Sequence, residues 1–113
     1  MHELNVLMEV VDQVEALAVE NKIEKVKGIV LQIGELSSVV PMFMEQYYPM
    51  MVEKSKSLQE SKLVIEMIPG KGRCVNCGEV YNVVEHDGYC PLCNRFEKEV
   101  LQGREFIIKE IWV

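Results

Sequence analysis

The chain has 113 residues, 49% of them hydrophobic and 27% charged, with a formal charge of -6 at neutral pH; this suffices for one core, or a small core with an appended module, and excludes wholesale disorder. An acidic balance disfavours nucleic acid as a partner, since phosphate recognition needs an excess of Lys and Arg. No run of 18 apolar residues and no basic-then-apolar leader occurs, so neither membrane spanning nor export is expected, and the cytoplasm is the expected location.

The chain opens Met1-His2-Glu3. The α-amine of Met1, the amide nitrogen of His2 and its imidazole can close fused chelate rings on one cation. The amide or carboxylate of Glu3 can complete a plane around it. Nitrogen-rich square-planar sites favour Ni(II) or Cu(II). A histidine at position 2 also arises by chance, and chain termini usually fray.

Leu4, Leu7, Val11, Val14 and Ala18 then recur at helical spacing, with Glu9, Asp12, Gln13, Glu15 and Glu20 on the other face; this predicts an amphipathic helix with a solvated acidic side, ending near Asn21 and Lys22. Ile29, Leu31 and Ile33 alternate within Val26 to Leu36, the pattern of a half-buried strand bracketed by Gly28 and Gly34. A second helix is expected from Pro41, capped by Ser37 or Ser38, with Phe43, Tyr47, Met50 and Met51 on one side. Pro49 should kink or divide it, with helix resuming from Lys54 to Gln59. Met42, Met44, Met50 and Met51 read best as filling around that kink.

Leu63 to Ile68 and Glu105 to Val113 are β-rich runs. The simplest arrangement pairs them as one extended hairpin whose enlarged tip lies between Gly70 and Gly103. The expected fold is therefore α+β: two helices packed on a three-stranded β-sheet, with a four-cysteine zinc-ribbon module inserted between the second and third strands. In domain terms, residues 1-69 and 104-113 form the α+β unit and residues 70-103 the metal-binding unit.

All four cysteines lie in that insertion, as Cys74-Val-Asn-Cys77 and Cys90-Pro-Leu-Cys93, two Cys-x2-Cys pairs 12 residues apart. Each pair lets the chain turn back so that both sulfurs face one point, with Gly78 easing the first turn and Pro91 stiffening the second. Four thiolates around a dication would bring the charge to about -8. Tetrahedral sulfur suits structural Zn(II), and a segment this poor in apolar groups needs metal to fold. A rubredoxin-like iron site is the alternative, with Tyr81, Tyr89 and Phe96 either shielding the iron or forming a small core beneath zinc. A closed sulfur shell leaves no open position for catalysis, and His86 reads as a loop residue without a metal role. From His86 to Lys98 only Arg95 and Lys98 oppose Asp87 and Glu97, so the module has no basic stripe.

The ordered set formed by Met1-His2-Glu3, the first helix, Ile33-Gly34-Glu35-Leu36-Ser37, the double Cys-x2-Cys module and the last β-run resembles the HypA/HybF family of nickel-insertion accessory proteins for nickel-iron hydrogenase. The resemblance implies a metallochaperone rather than an enzyme. Its nickel would be held by the Met1 amine, His2 and Glu3, and its zinc by Cys74, Cys77, Cys90 and Cys93. It implies a HypB-type GTPase and the hydrogenase large-subunit precursor as partners. The chain is expected as a monomer or a homodimer, in which units joined by long hinges can swap between chains. Some members carry an acidic residue shortly after the Gly-Glu-x-Ser segment, where this chain has Val39 and Val40. Some also have histidines beside the zinc cysteines, where Gly78, Glu79, Asn94 and Arg95 stand here. Two other readings differ in class: a zinc-ribbon interaction module that transports no metal, and a rubredoxin-like electron carrier.

Overall fold

The computed structural model describes residues 2-113, with side chains from Glu3 onward. In chain order the elements are α1 (His2–Glu20), β1 (Gly28–Gly34), α2 (Pro41–Met51), β2 (Lys62–Ile68), β3 (Lys71–Cys74), β4 (Val80–Asn82), β5 (Lys98–Gln102) and β6 (Phe106–Trp112). They divide into two compact units: Met1–Gln32, Val39–Glu66 and Ile107–Val113 make one, and Ile33–Ser38 with Met67–Phe106 make the other. No helix among the described residues is long and apolar enough to cross a membrane.

In the first unit, α1 buries Leu7, Val11, Val14 and Ala18 of the expected stripe and Val10 beside them, while Leu4 is half-buried. The helix stops where Lys22 turns left-handed at φ 56° and Ile23 N–H bonds back to the Ala18 carbonyl at 2.8 Å. The second helix departs from expectation. Neither Ser37 nor Ser38 caps it; Val40 is the N-cap residue and makes no side-chain cap bond. Its buried residues are Met44 and Tyr48, four apart and hence on one face, whereas Met42, Phe43 and Met50 are exposed. The methionines therefore split between core and surface. Pro49 lies inside the last turn of the helix, and the chain beyond Met51 forms successive turns, such as Ser55 N–H to the Val52 carbonyl at 3.0 Å, in place of the renewed helix that the sequence suggests.

The helices pack on a three-stranded sheet of order β2-β1-β6. Bonds from Lys62 N–H to the Lys27 carbonyl and from Glu35 N–H to the Ile68 carbonyl, both 2.9 Å, advance in the same direction along the two strands, so β2 is parallel to β1. Lys27 N–H to Trp112 and Gly34 N–H to Glu105, at 2.6 and 2.8 Å, run in opposite senses and make β6 antiparallel. The expected hairpin of β2 with β6 does not form, because β1 lies between them. The physical reason is the α2 crossover, long enough to return the chain for parallel pairing beside β1. As the central strand, β1 buries Ile29, Val30, Leu31 and Ile33, so it is more than half-buried. A polar row crosses the sheet: Lys109 Nζ lies 3.1 Å from Glu66 Oε1, which also accepts from Gln32 Nε2 at 3.3 Å. That ion pair, with the Gln32 bond, holds the Glu66 carboxyl below its ordinary range.

The second unit has its own sheet, β4-β3-β5, antiparallel on both sides of β3. The Ile33–Ser38 segment belongs to this unit. A Cβ on Gly34 would lie 1.9 Å from the Gly103 carbonyl oxygen, so only glycine fits that crossing. Beside it, Glu35 Oε1 accepts from Gly70 N–H at 2.8 Å and lies 3.5 Å from Asn82 Nδ2, while Leu36 N–H bonds the Gly103 carbonyl at 2.7 Å.

Candidate metal centre

Two turns of the same design build the site. In the first, Cys74 ends β3, its N–H bonds the Glu79 carbonyl at 2.9 Å, and Gly78 N–H returns to the Cys74 carbonyl at 2.9 Å. In the second, Cys90 N–H bonds the Arg95 carbonyl at 2.9 Å and Asn94 N–H returns to the Cys90 carbonyl at 2.8 Å. Gly78 and Asn94 occupy the same place after the second cysteine of each pair, and both are left-handed, at φ 79° and 61°. Glycine meets that need without cost, and asparagine is among the few other residues that tolerate it.

The turns bring four sulfurs together. Sγ of Cys74 lies 3.4 Å from that of Cys93, Sγ of Cys77 lies 3.5 Å from that of Cys90, and all four lie within 4.8 Å of one another. No pair is at bonding distance, since a disulfide needs about 2.05 Å, and all four cysteines are free. A tetrahedral metal with sulfur bonds of about 2.3 Å sets sulfurs about 3.8 Å apart, so the quartet fits such an ion. Among the described residues it is the one group of three or more ligating side chains so gathered. His86 is exposed and sits edge-on to Tyr81 at 6.1 Å, outside the group.

Backbone N–H groups of Glu79 and Arg95 bond the sulfurs of Cys77 and Cys93. At Cys93 that bond dominates and lowers the thiol below its usual range. At Cys77 it also favours the thiolate, but desolvation and three neighbouring sulfurs outweigh it and push the thiol up to about 12. Sulfurs this close cannot all be ionised without a cation between them. Metal uptake must therefore release protons, and binding weakens as pH falls.

Beneath the quartet, Tyr81 is buried against Cys74 and Cys90 with Val83 and Cys93 packed alongside, and its hydroxyl donates to the Gly88 carbonyl at 3.1 Å. Burial, then the sulfur charges, raise its phenol pKa. Only this one of the three aromatics lies in the core. Tyr89 and Phe96 are 47% and 53% exposed and pack edge-to-face on each other at 5.4 Å, with Lys98 Nζ 3.6 Å over the Phe96 ring. Sequence reasoning assigns no role to Glu35, although it ties a remote segment to Gly70 in this unit. Its one signal is the Gly34-Glu35 pair itself, a carboxylate next to a glycine ending a strand.

At the other candidate site, Met1 and the side chain of His2 lie outside the described residues. The backbone of His2 starts α1. Glu3 stands in the first turn, 8% exposed, its Oε2 accepting from Val40 N–H at 3.1 Å.

An α+β unit joined in one chain to a unit built on paired Cys-x2-Cys turns defines a two-part metal-binding protein. Residues 1–113 match the family described as "Hydrogenase/urease nickel incorporation, metallochaperone, hypA". The hydrogenase maturation factor HypA of Geobacter metallireducens is 34% identical over 113 residues, covering 100% of this chain and 99% of that one. That of Trichodesmium erythraeum is 33% identical over 114 residues, covering 100% and 96%. The fold is shared with the solution structure of the Ni metallochaperone HypA from Helicobacter pylori, at a TM-score of 0.67 and 22% identity over 97% of this chain and 95% of that one. The chain belongs to the HypA family of metallochaperones.

Proposed function

We propose that this protein carries Ni(II) at its amino terminus to the large-subunit precursor of a nickel-iron hydrogenase, with Zn(II) held permanently by Cys74, Cys77, Cys90 and Cys93. It acts without catalysing a reaction, in the cytoplasm, and receives or passes nickel with a HypB-type GTPase. The observation that carries this reading is the Met1-His2-Glu3 opening, in a chain that matches the family from end to end.

The chemistry of the two sites divides the labour. Zinc has no geometric preference of its own and suits a closed sulfur tetrahedron, where it has no vacancy for exchange. The residues assigned to zinc and nickel lie in different units, so residues 70-103 would be the zinc-binding domain and residues 1-69 with 104-113 the nickel-binding domain. Because α1 begins at His2, the amides of His2 and Glu3 are among the four that a helix leaves without an intrahelical acceptor. Deprotonating them for metal sacrifices no helix bond. Ni(II) would take the Met1 amine, the His2 amide and imidazole, and a donor from Glu3. Such a terminal site can be surrendered by stepwise ligand exchange. Its affinity falls with pH because amine, amide and imidazole must lose protons to bind.

The test is nickel titration of three zinc-loaded proteins side by side: with a free amino terminus, with an added amino-terminal tag, and His2→Ala with a free terminus. The reading expects one nickel per chain in the first, sharp weakening in the second and loss in the third. Undiminished nickel binding in His2→Ala would refute it and favour an interaction module with an accidental histidine. A red, iron-containing protein would favour electron transfer.

A further inference from the structure

We infer that the Glu3 carboxylate is a positioning group that clamps the start of α1 to the head of α2 through the Val40 amide. The nickel consequence rests on the function proposed above; the clamp itself does not.

Glu3 is the one charged side chain in the buried class among the described residues, at 8% exposure. A carboxylate so placed requires hydrogen-bonding partners, or its burial is strongly unfavourable. Its Oε2 lies 3.1 Å from Val40 N. The head of α2 needs an outside acceptor. Val40 has no side-chain oxygen, Pro41 offers no N–H, and the N3 position is Phe43. In a capping box a glutamate at N3 reaches back to the N-cap amide. Here Glu3 performs that task from another helix. Its carboxylate stands in the first turn of α1 and at the start of α2, the positive end of each helix dipole.

A second tie fixes the orientation of α1. Glu15 Oε2 accepts from Ser55 Oγ at 2.6 Å, and twelve residues along a helix correspond to about 18 Å. The first helix is thus held near both ends. The turn that bears His2 is anchored through its neighbour, so fewer conformations are lost when a metal is bound there.

The experiment compares Glu3→Gln and Glu3→Ala with the parent, all with free amino termini. Amide hydrogen exchange is read on the nickel-free proteins, and affinity and the nickel d–d absorption on the titrated ones. Glutamine keeps an acceptor oxygen in reach of Val40, so its Val40 exchange should stay within about threefold of the parent and its nickel spectrum should be unchanged. Alanine should speed Val40 exchange by about tenfold and weaken nickel by a similar factor, again without changing the spectrum. Unchanged Val40 exchange in Glu3→Ala overturns the clamp. A shifted spectrum in Glu3→Gln makes the carboxylate a ligand and overturns the inference from the other side. Nickel that binds independently of His2 refutes the proposed function instead, and the exchange data on nickel-free protein still decide the clamp.

Discussion

The two units solve the problem of stability by different means. The first buries Leu7, Val14, Ile29, Leu31, Met44 and Leu58 completely, and its helices and sheet follow from that burial. In the second, the residues buried around the metal turns are Cys74, Tyr81 and Cys90. Two of those three belong to the sulfur quartet. An apolar core holds its shape alone, whereas a core made of thiols depends on the ion they surround. The first unit would then be a self-sufficient scaffold, and the second one whose folding is coupled to metal binding.

Metal removal should break the comparison most visibly. Structural zinc contributes on the order of 10–16 kcal/mol in small sulfur-ligated peptides, more than a marginal unit can spare. A chelator or Cys90→Ser should therefore unfold residues 67–106 while the helical circular dichroism of α1 and α2 persists. NMR spectra in which both sets of resonances collapse together would contradict the division. Next in size is Leu31→Ala, which empties a fully buried position of the central strand and should cost about 2–5 kcal/mol by denaturant unfolding. Zinc content should not change.

Gly34→Ala sharpens the comparison from the second unit. Its new methyl would meet the Gly103 carbonyl, so a loss of about 1–3 kcal/mol is expected, with faster proteolysis near Lys71 and Arg73 as the Glu35 clasp loosens. The smallest effect concerns pH. Glu66 has a folded-state pKa lowered first by its bond to Lys109, so the stability it contributes is present above the ordinary carboxylate value and is lost as pH falls through the folded one. Lys109→Met should lower stability slightly at neutral pH and leave it unchanged below the folded-state value, which flattens the acid limb; the effect is small because the pair is exposed.

What the sequence reveals follows the range of the interactions involved. The stripe of α1 and the sulfur quartet are local patterns, one set by 3.6-residue periodicity and the other by ligand spacing, and both are present in the structure. The partner of β2 is not local. Its side chains fit an edge beside β6 as well as one beside β1, and the choice depends on the α2 crossover. Ser37 and Ser38 look like caps because their side chains suit the role, yet the acceptor at α2 comes from Glu3, 37 residues before Val40. Tyr89 and Phe96 look like core because they are aromatic, but so small a sheet has room beneath it for Tyr81.

On the proposed function, one chain holds two metals by two chemistries at two places. Metal analysis of protein with a free amino terminus, before and after one equivalent of nickel, tests it most directly, with His2→Ala and Cys90→Ser in parallel. One zinc and one nickel are expected in the parent, zinc alone in His2→Ala, and loss of zinc in Cys90→Ser. Nickel that follows Cys90 and ignores His2 would contradict it.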